Sequence, residues 1–183
     1  HTSRTIMIEE LSALFRASSP TASRAEYLSL IIEQNCLGKR TVSNRRLSDQ
    51  RLGELYGLDP RVMLFRLMRR FWEVDERGRP LLALLLALAR DPLLRMTATP
   101  IIRLHQGEEL GRQALTDALN RQTGSRFNDA SLDKIVRNTA ASWTQSGHLA
   151  GRNRKIRQII RPTPEVVTYA LVLGYILGAR GPA

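Results

Sequence analysis

The chain has 183 residues, enough for one compact domain or two small ones sharing a core. Its 43% hydrophobic and 25% charged content excludes a disordered chain, and 5% aromatics argue against a sugar-binding or aromatic-cage protein. The 28 basic residues, all arginine except Lys39, Lys134 and Lys155, outnumber 17 acids and leave +11. Such a surplus points to a polyanion, nucleic acid or an anionic membrane surface, and arginine adds planar bidentate contacts to phosphate and guanine.

The apolar spacing is helical almost throughout. Ile6, Ile8, Leu11, Leu14 and Phe15 predict a short amphipathic helix that ends at Ser18-Ser19-Pro20. A second helix begins near Ser23 and stops at Asn35 to Gly38. Thr41 or Ser43 caps a third through Leu47, Leu52, Leu55 and Tyr56, ended by Gly57. Asp59-Pro60 reads as a cap with proline in the first turn of a fourth, carrying Val62, Phe65, Met68 and Phe71. Asp75 to Pro80 is a polar turn, followed by a Leu81 to Ala89 helix and a segment from Asp91 that Pro100 bends or breaks.

After Gly107 the pattern changes. Leu110, Ala114, Leu115 and Leu119 predict a helix with Glu108 and Glu109 in its first turn, and Thr123 to Asn128 is a polar loop. Asp129 or Ser131 caps the next helix, whose apolar face is Leu132, Ile135, Val136, Thr139, Ala140 and Trp143, and Gly147 ends it. Leu149-Ala150-Gly151, the basic run Arg152 to Arg161 and Pro162 follow, and Thr163 caps a last apolar helix to about Gly178. No repeat of fixed period and no low-complexity tract interrupts this order. The expected fold is mainly all-α. It comprises an N-terminal helix with a truncated or tag-derived start (His1-Thr2-Ser3) over residues 1–20, a helical domain with a helix-turn-helix-like basic region over 21–105, and a winged-helix-like domain with a closing helix over 106–183.

Chemistry-bearing residues are few. Cys36 is alone, which excludes an internal disulfide and a cysteine-built zinc site, and its apolar helical setting predicts a buried small hydrophobe. His105 and His148 have no ligand at metal spacing, and no phosphate loop, nucleophile elbow or HExxH motif is present, so no catalytic residues, cofactor or metal are expected. The apolar runs Leu81 to Ala89 and Val166 to Ala179 fall short of the ~20 residues of a spanning helix. They read as core helices of a cytoplasmic protein with no membrane partner.

The strongest local signal is the order helix, loop, helix, glycine, basic hairpin between residues 107 and 161, the order of a winged helix-turn-helix. Residues 121 to 161 hold nine basic groups against Asp129 and Asp133, which is +7 of the total. With the apolar stripe buried, the outward face of the second helix is Lys134, Arg137, Asn138, Ala141, Ser142 and Gln145. Arginine, asparagine and glutamine read base edges bidentately. In the hairpin, Arg152, Asn153, Arg154, Lys155 and Arg157 are placed to track phosphates, and Trp143 falls in register with the core rather than with a stacking platform. A second basic zone, +6 over residues 39 to 70, opens with Lys39, Arg40, Arg45 and Arg46 beside a Thr41-initiated helix. It reads equally as DNA-contacting or as a solvated face.

Glu33-Gln34-Asn35-Cys36-Leu37-Gly38-Lys39-Arg40-Thr41, then Arg45-Arg46 and Leu52-Gly53-Glu54-Leu55-Tyr56, resembles the N-terminal half of the BrxA-like proteins of BREX bacteriophage-exclusion systems. Leu81-Leu82-Ala83-Leu84 to Leu93-Leu94-Arg95 is similar to that family's central helices, and Asn138 to Leu149 with the basic hairpin to its C-terminal helix-turn-helix. The final helix, with Tyr169-Ala170-Leu171 and Gly174-Tyr175, departs from the pattern. The resemblance implies an all-helical DNA-binding fold and partnership with the other defence proteins, a methyltransferase, an ATPase and a phosphatase-like protein. It also brings an inner-membrane label that the short apolar runs contradict. The expected function is therefore a non-enzymatic subunit of an anti-phage defence system that grips duplex DNA. The alternatives are a transcription regulator of such an operon and an arginine-rich adaptor that docks acidic proteins without nucleic acid.

Overall fold

A computed structural model describes residues 4–111, 113–124 and 126–179. The His1-Thr2-Ser3 start and Ser125 of the polar loop lie outside the described residues. The fold is mainly α-helical with one short hairpin near the C-terminus. The chain forms two compact units and crosses between them after Ile6, after Leu86 and after Arg161. Among the described residues, no helix is long and apolar enough to cross a membrane.

One unit contains residues 7–86 and returns to take in the chain from Pro162 onward. Its helices are α1 (Ile8–Ala17), α2 (Arg24–Ile32), α3 (Val42–Tyr56), α4 (Met63–Val74), the first part of α5 (Arg79–Arg90) and, after the other unit, α10 (Pro164–Ile176). The starts follow local chemistry. Ser23 and Glu26 form a reciprocal capping box for α2, Thr41 accepts from the Asn44 N–H at the head of α3, and Thr163 accepts from Val166 at the head of α10. Phe15 is the centre of an aromatic cluster, with Tyr27, Phe65 and Trp72 rings 5.2 to 6.2 Å away at tilted or edge-on angles. The Tyr169 hydroxyl of α10 donates to the Leu64 carbonyl, and its burial pushes the phenol's pKa upward. Thr163 also donates to Asp75, whose other oxygen accepts from the Gly78 N–H at 2.9 Å. That turn needs glycine: a Cβ at position 78 would lie 1.8 Å from the Asp75 carboxylate.

Two expectations for this unit change. Asp59 does not cap α4: its carboxylate accepts from the backbone and guanidinium of Arg61, the Val62 N–H closes a turn onto Asp59 O, and the helix starts at Met63. Cys36 lies in the turn after α2, half-buried rather than in the core, where desolvation raises its thiol pKa.

The other unit spans Ala87–Arg161 together with the described residues before Met7. After the end of α5 come α6 (Pro92–Met96), α7 (Ala98–Ile102), α8 (Ala114–Thr123), α9 (Asp129–Gln145), β1 (Leu149–Ala150) and β2 (Ile156–Arg157). Asp91 caps α6 by accepting from the Leu93 and Leu94 N–H groups, and Gly124, at φ 61°, ends α8 in the left-handed region. Asn128, rather than Asp129 or Ser131, caps α9 by accepting from the Ser131 N–H. Leu93, Leu119, Leu132 and Ile135 form the shared core of α6, α8 and α9, with Met96, Phe127 and Val136 packed around it. Trp143 is buried and its indole N–H donates to Thr97 Oγ1 at 2.8 Å, so it is core as its register predicts.

Glu108 and Glu109 are not in a helix. Residues 107 to 110 run extended along β2: Glu109 bridges Ile156, the Leu110 N–H donates to Lys155 O at 2.8 Å, and the Arg157 N–H donates to Glu108 O at 2.9 Å. The β1–β2 hairpin, in register Leu149 to Arg157 and Ala150 to Ile156, thus gains a further short extended segment on the free edge of β2.

Candidate nucleic-acid interface

The hairpin follows α9 after only Ser146, Gly147 and His148, so the cations of both belong to one unit. Along α9 the outer side is exposed only over the first half, at Ala130, Ser131, Asp133, Lys134 and Arg137. Arg137 is 69% exposed, and its Nη1 lies 3.1 Å from Asp133 Oδ2 one turn earlier. Asn138 is half-buried.

Ser142, expected to face outward, is 1% exposed. Its hydroxyl accepts from the Ile6 N–H at 3.1 Å and donates to Asn138 O at 2.9 Å. The reason is angular: Ser142 continues the Ile135 and Thr139 stripe, so it belongs to the inner face. That spacing was visible in the sequence, but a polar side chain masked it. Gln145 is half-buried with a buried Oε1 and also turns away from solvent. Base-edge candidates on α9 therefore reduce to Lys134, Arg137 and the half-buried Asn138.

The hairpin tip depends on Gly151, at φ 99°, where a Cβ would lie 2.1 Å from Arg154 O. Arg152 and Asn153 are exposed at the tip. Arg154 is 77% exposed and reaches back to the extended segment, with Nη2 2.7 Å and Nε 2.8 Å from Glu109 Oε2. Lys155 donates to Gly151 O at 2.7 Å, stitching the tip closed. Arg157, expected to meet phosphate, is half-buried and donates to His148 O and Gln158 O, so it works as an internal brace. Beside it, the His148 imidazole stacks edge-on to Trp143 at 5.0 Å and shares a hydrogen bond with Ser146 Oγ. Burial, and then the Arg157 charge, lower the His148 pKa to about 4.

The charge count of this segment includes two cations, Arg121 and Arg126, that sequence spacing alone does not assign to the surface. Arg121, in the last turn of α8, and Arg126, before α9, are exposed on either side of the inter-helix loop, with the Arg126 guanidinium 5.1 Å from the Phe127 ring. Among the described residues, no carboxylate comes within ion-pair distance of Arg121, Arg126, Lys134 or Arg152.

The N-terminal basic zone behaves differently. Lys39 pairs with Glu10 at 2.9 Å, and Arg45 donates to Ile32 O at 2.9 Å, satisfying a carbonyl at the end of α2. Arg69 is 2% exposed, pairs with Glu73, donates to Phe15 O and Ser18 O, and stacks 4.4 Å from the Phe15 ring. Arg61 is held by Asp59 and Arg66 by Pro60 O. Of the four residues singled out there, only Arg40 and Arg46 are exposed. Lys39 and Arg45 are structural cations, because each meets an oxygen from a distant part of the chain that its sequence neighbourhood does not reveal.

No family model matches this chain, and no curated protein matches it.

Proposed function

We propose that the chain is a non-enzymatic component that grips duplex DNA through the α8–α9 pair and the basic hairpin. The observation that carries this reading is the arrangement in one unit of helix, bridged extended segment, helix, helix and hairpin, which is the order of a winged helix-turn-helix. Its exposed cations lie where such a unit meets DNA. Lys134 and Arg137 stand on the second and third turns of α9, Arg152 and Arg154 on the hairpin, and Arg121 and Arg126 around the loop. Small Ala130 and Ala141 on the same side of α9 leave room for close approach to base edges. The resemblance to the BrxA-like proteins adds the setting, an anti-phage defence system with its companion proteins.

Duplex, single-stranded and RNA probes titrated by fluorescence anisotropy across a salt series test this. Duplex should bind most tightly, and replacing Lys134, Arg137, Arg152 and Arg154 together by alanine should flatten the log–log salt slope by on the order of 2–4. The Arg40→Ala, Arg46→Ala variant should change it much less. No duplex binding at low salt, with a protein partner that survives nuclease treatment, would replace this reading with the adaptor. A preference of several orders of magnitude for one short promoter site would make it a regulator.

A further inference from the structure

We infer that Asp133 and Glu109 are specificity-determining residues of this interface: each carboxylate holds one DNA-facing arginine and weakens its capture by phosphate at random sequence. The inference rests on the DNA-binding reading above and names residues within the same surface.

Two cations on this face carry intramolecular counter-ions, and they occupy its two different elements. Arg137 on α9 lies 3.1 Å from Asp133, and Arg154 on the hairpin lies 2.7 Å from Glu109. Asp133 and Glu109 are themselves 63% and 42% exposed, so neither carboxylate is required by a buried core. Only the first of these pairs follows from a local rule. Asp133 stands four residues before Arg137, where a helix pair forms readily, but Glu109 reaches Arg154 only because residues 107 to 110 align along β2. The neighbouring Lys134, Arg121, Arg126 and Arg152 make no such pair among the described residues.

The consequence follows from ion exchange. When a phosphate takes Arg137 or Arg154, the abandoned carboxylate lies beside the DNA backbone and recruits a salt cation. That uptake offsets the cation the phosphate releases, so affinity and salt slope both fall below what the number of arginines implies. A guanine edge, whose O6 and N7 take a guanidinium through two hydrogen bonds without a formal charge beside the carboxylate, suffers less of this repulsion. The carboxylates thus bias the arginines against backbone and toward bases.

The test uses Asp133→Asn and Glu109→Gln, which keep shape and remove charge, in the full chain. Binding to a random-sequence duplex should tighten about two- to five-fold for each change, the range an exposed pair allows. The salt slope should steepen by up to about one for each. In an Arg137→Ala background, Asp133→Asn should lose most of its effect, which separates restraint of that arginine from general loss of negative charge. Site selection from a random pool should give a less biased sequence set for the double variant than for the parent. Unchanged or weaker random-duplex binding, or an Asp133→Asn effect of the same size without Arg137, overturns the inference while leaving DNA binding intact. Absence of binding by both the parent and the double variant overturns the DNA-binding reading itself, and this inference with it.

Discussion

Replacing Thr97 by valine tests how α9 is held in place. Thr97 is fully buried, and Trp143 on α9 is 2% exposed. The Thr97 hydroxyl accepts from the Trp143 indole at 2.8 Å and donates to Leu94 O at 2.6 Å. Valine keeps the branched shape, so packing is preserved. Leu94 O retains the Thr97 backbone N–H at 3.1 Å. The group left alone is the indole N–H, away from water, and an orphaned buried donor costs roughly 1–3 kcal/mol. For a chain of this length that corresponds to a fall in Tm of roughly 2–4 °C per kcal/mol. Urea unfolding followed by circular dichroism measures it directly. Trp143→Phe loses stability on its own by leaving a cavity, but it also removes the donor. In that background, Thr97→Val should therefore cost less than in the parent. If Thr97→Val is neutral in the parent, or equally harmful in both backgrounds, the Trp143–Thr97 bond does not anchor α9.

Arg45→Ala should destabilise by about 1–2 kcal/mol, because it removes the cation that satisfies Ile32 O, whereas Arg46→Ala should stay within about 0.5 kcal/mol in the same thermal melt. Ser142→Ala should lower stability by about 1 kcal/mol through loss of its bond to the Ile6 N–H, yet leave duplex affinity unchanged by anisotropy. Gly151→Ala removes no charge, but strain at φ 99° and the close Arg154 carbonyl should distort the hairpin and weaken duplex binding several-fold; equal affinity would mean the hairpin makes no contact. His148, lowered to about 4 by burial and then by Arg157, stays neutral in the folded protein while the unfolded chain takes up its proton below the ordinary value of 6.5. Its contribution is thus fully present above about pH 6.5 and is lost progressively as pH falls to about 4. An NMR titration of the imidazole checks this, and a midpoint above 6 contradicts it.

The sequence by itself determined most of the helices and their ends, but not the starts of α4 and α8 or the break at Thr97 between α6 and α7. Ser23 with Glu26, Thr41 and Thr163 act on N–H groups within three residues, and Gly57 closes its helix at φ 83°, so those signals need no knowledge of the rest of the fold. The Leu132, Ile135 and Trp143 spacing likewise located the inner face of α9. Tertiary structure alone decided that Glu109 joins the hairpin through Ile156 and that the Tyr169 hydroxyl of α10 meets Leu64 on α4, since pairings across long chain separations leave no periodic trace. It also decided which cations remain available. Lys39 and Arg45 read like Lys134 and Arg152 in a charge count, but the first two meet oxygens brought from distant segments and the last two meet solvent. A long side chain is free or engaged according to what folds within its reach, and that is a property of the assembled core, not of its neighbours in sequence.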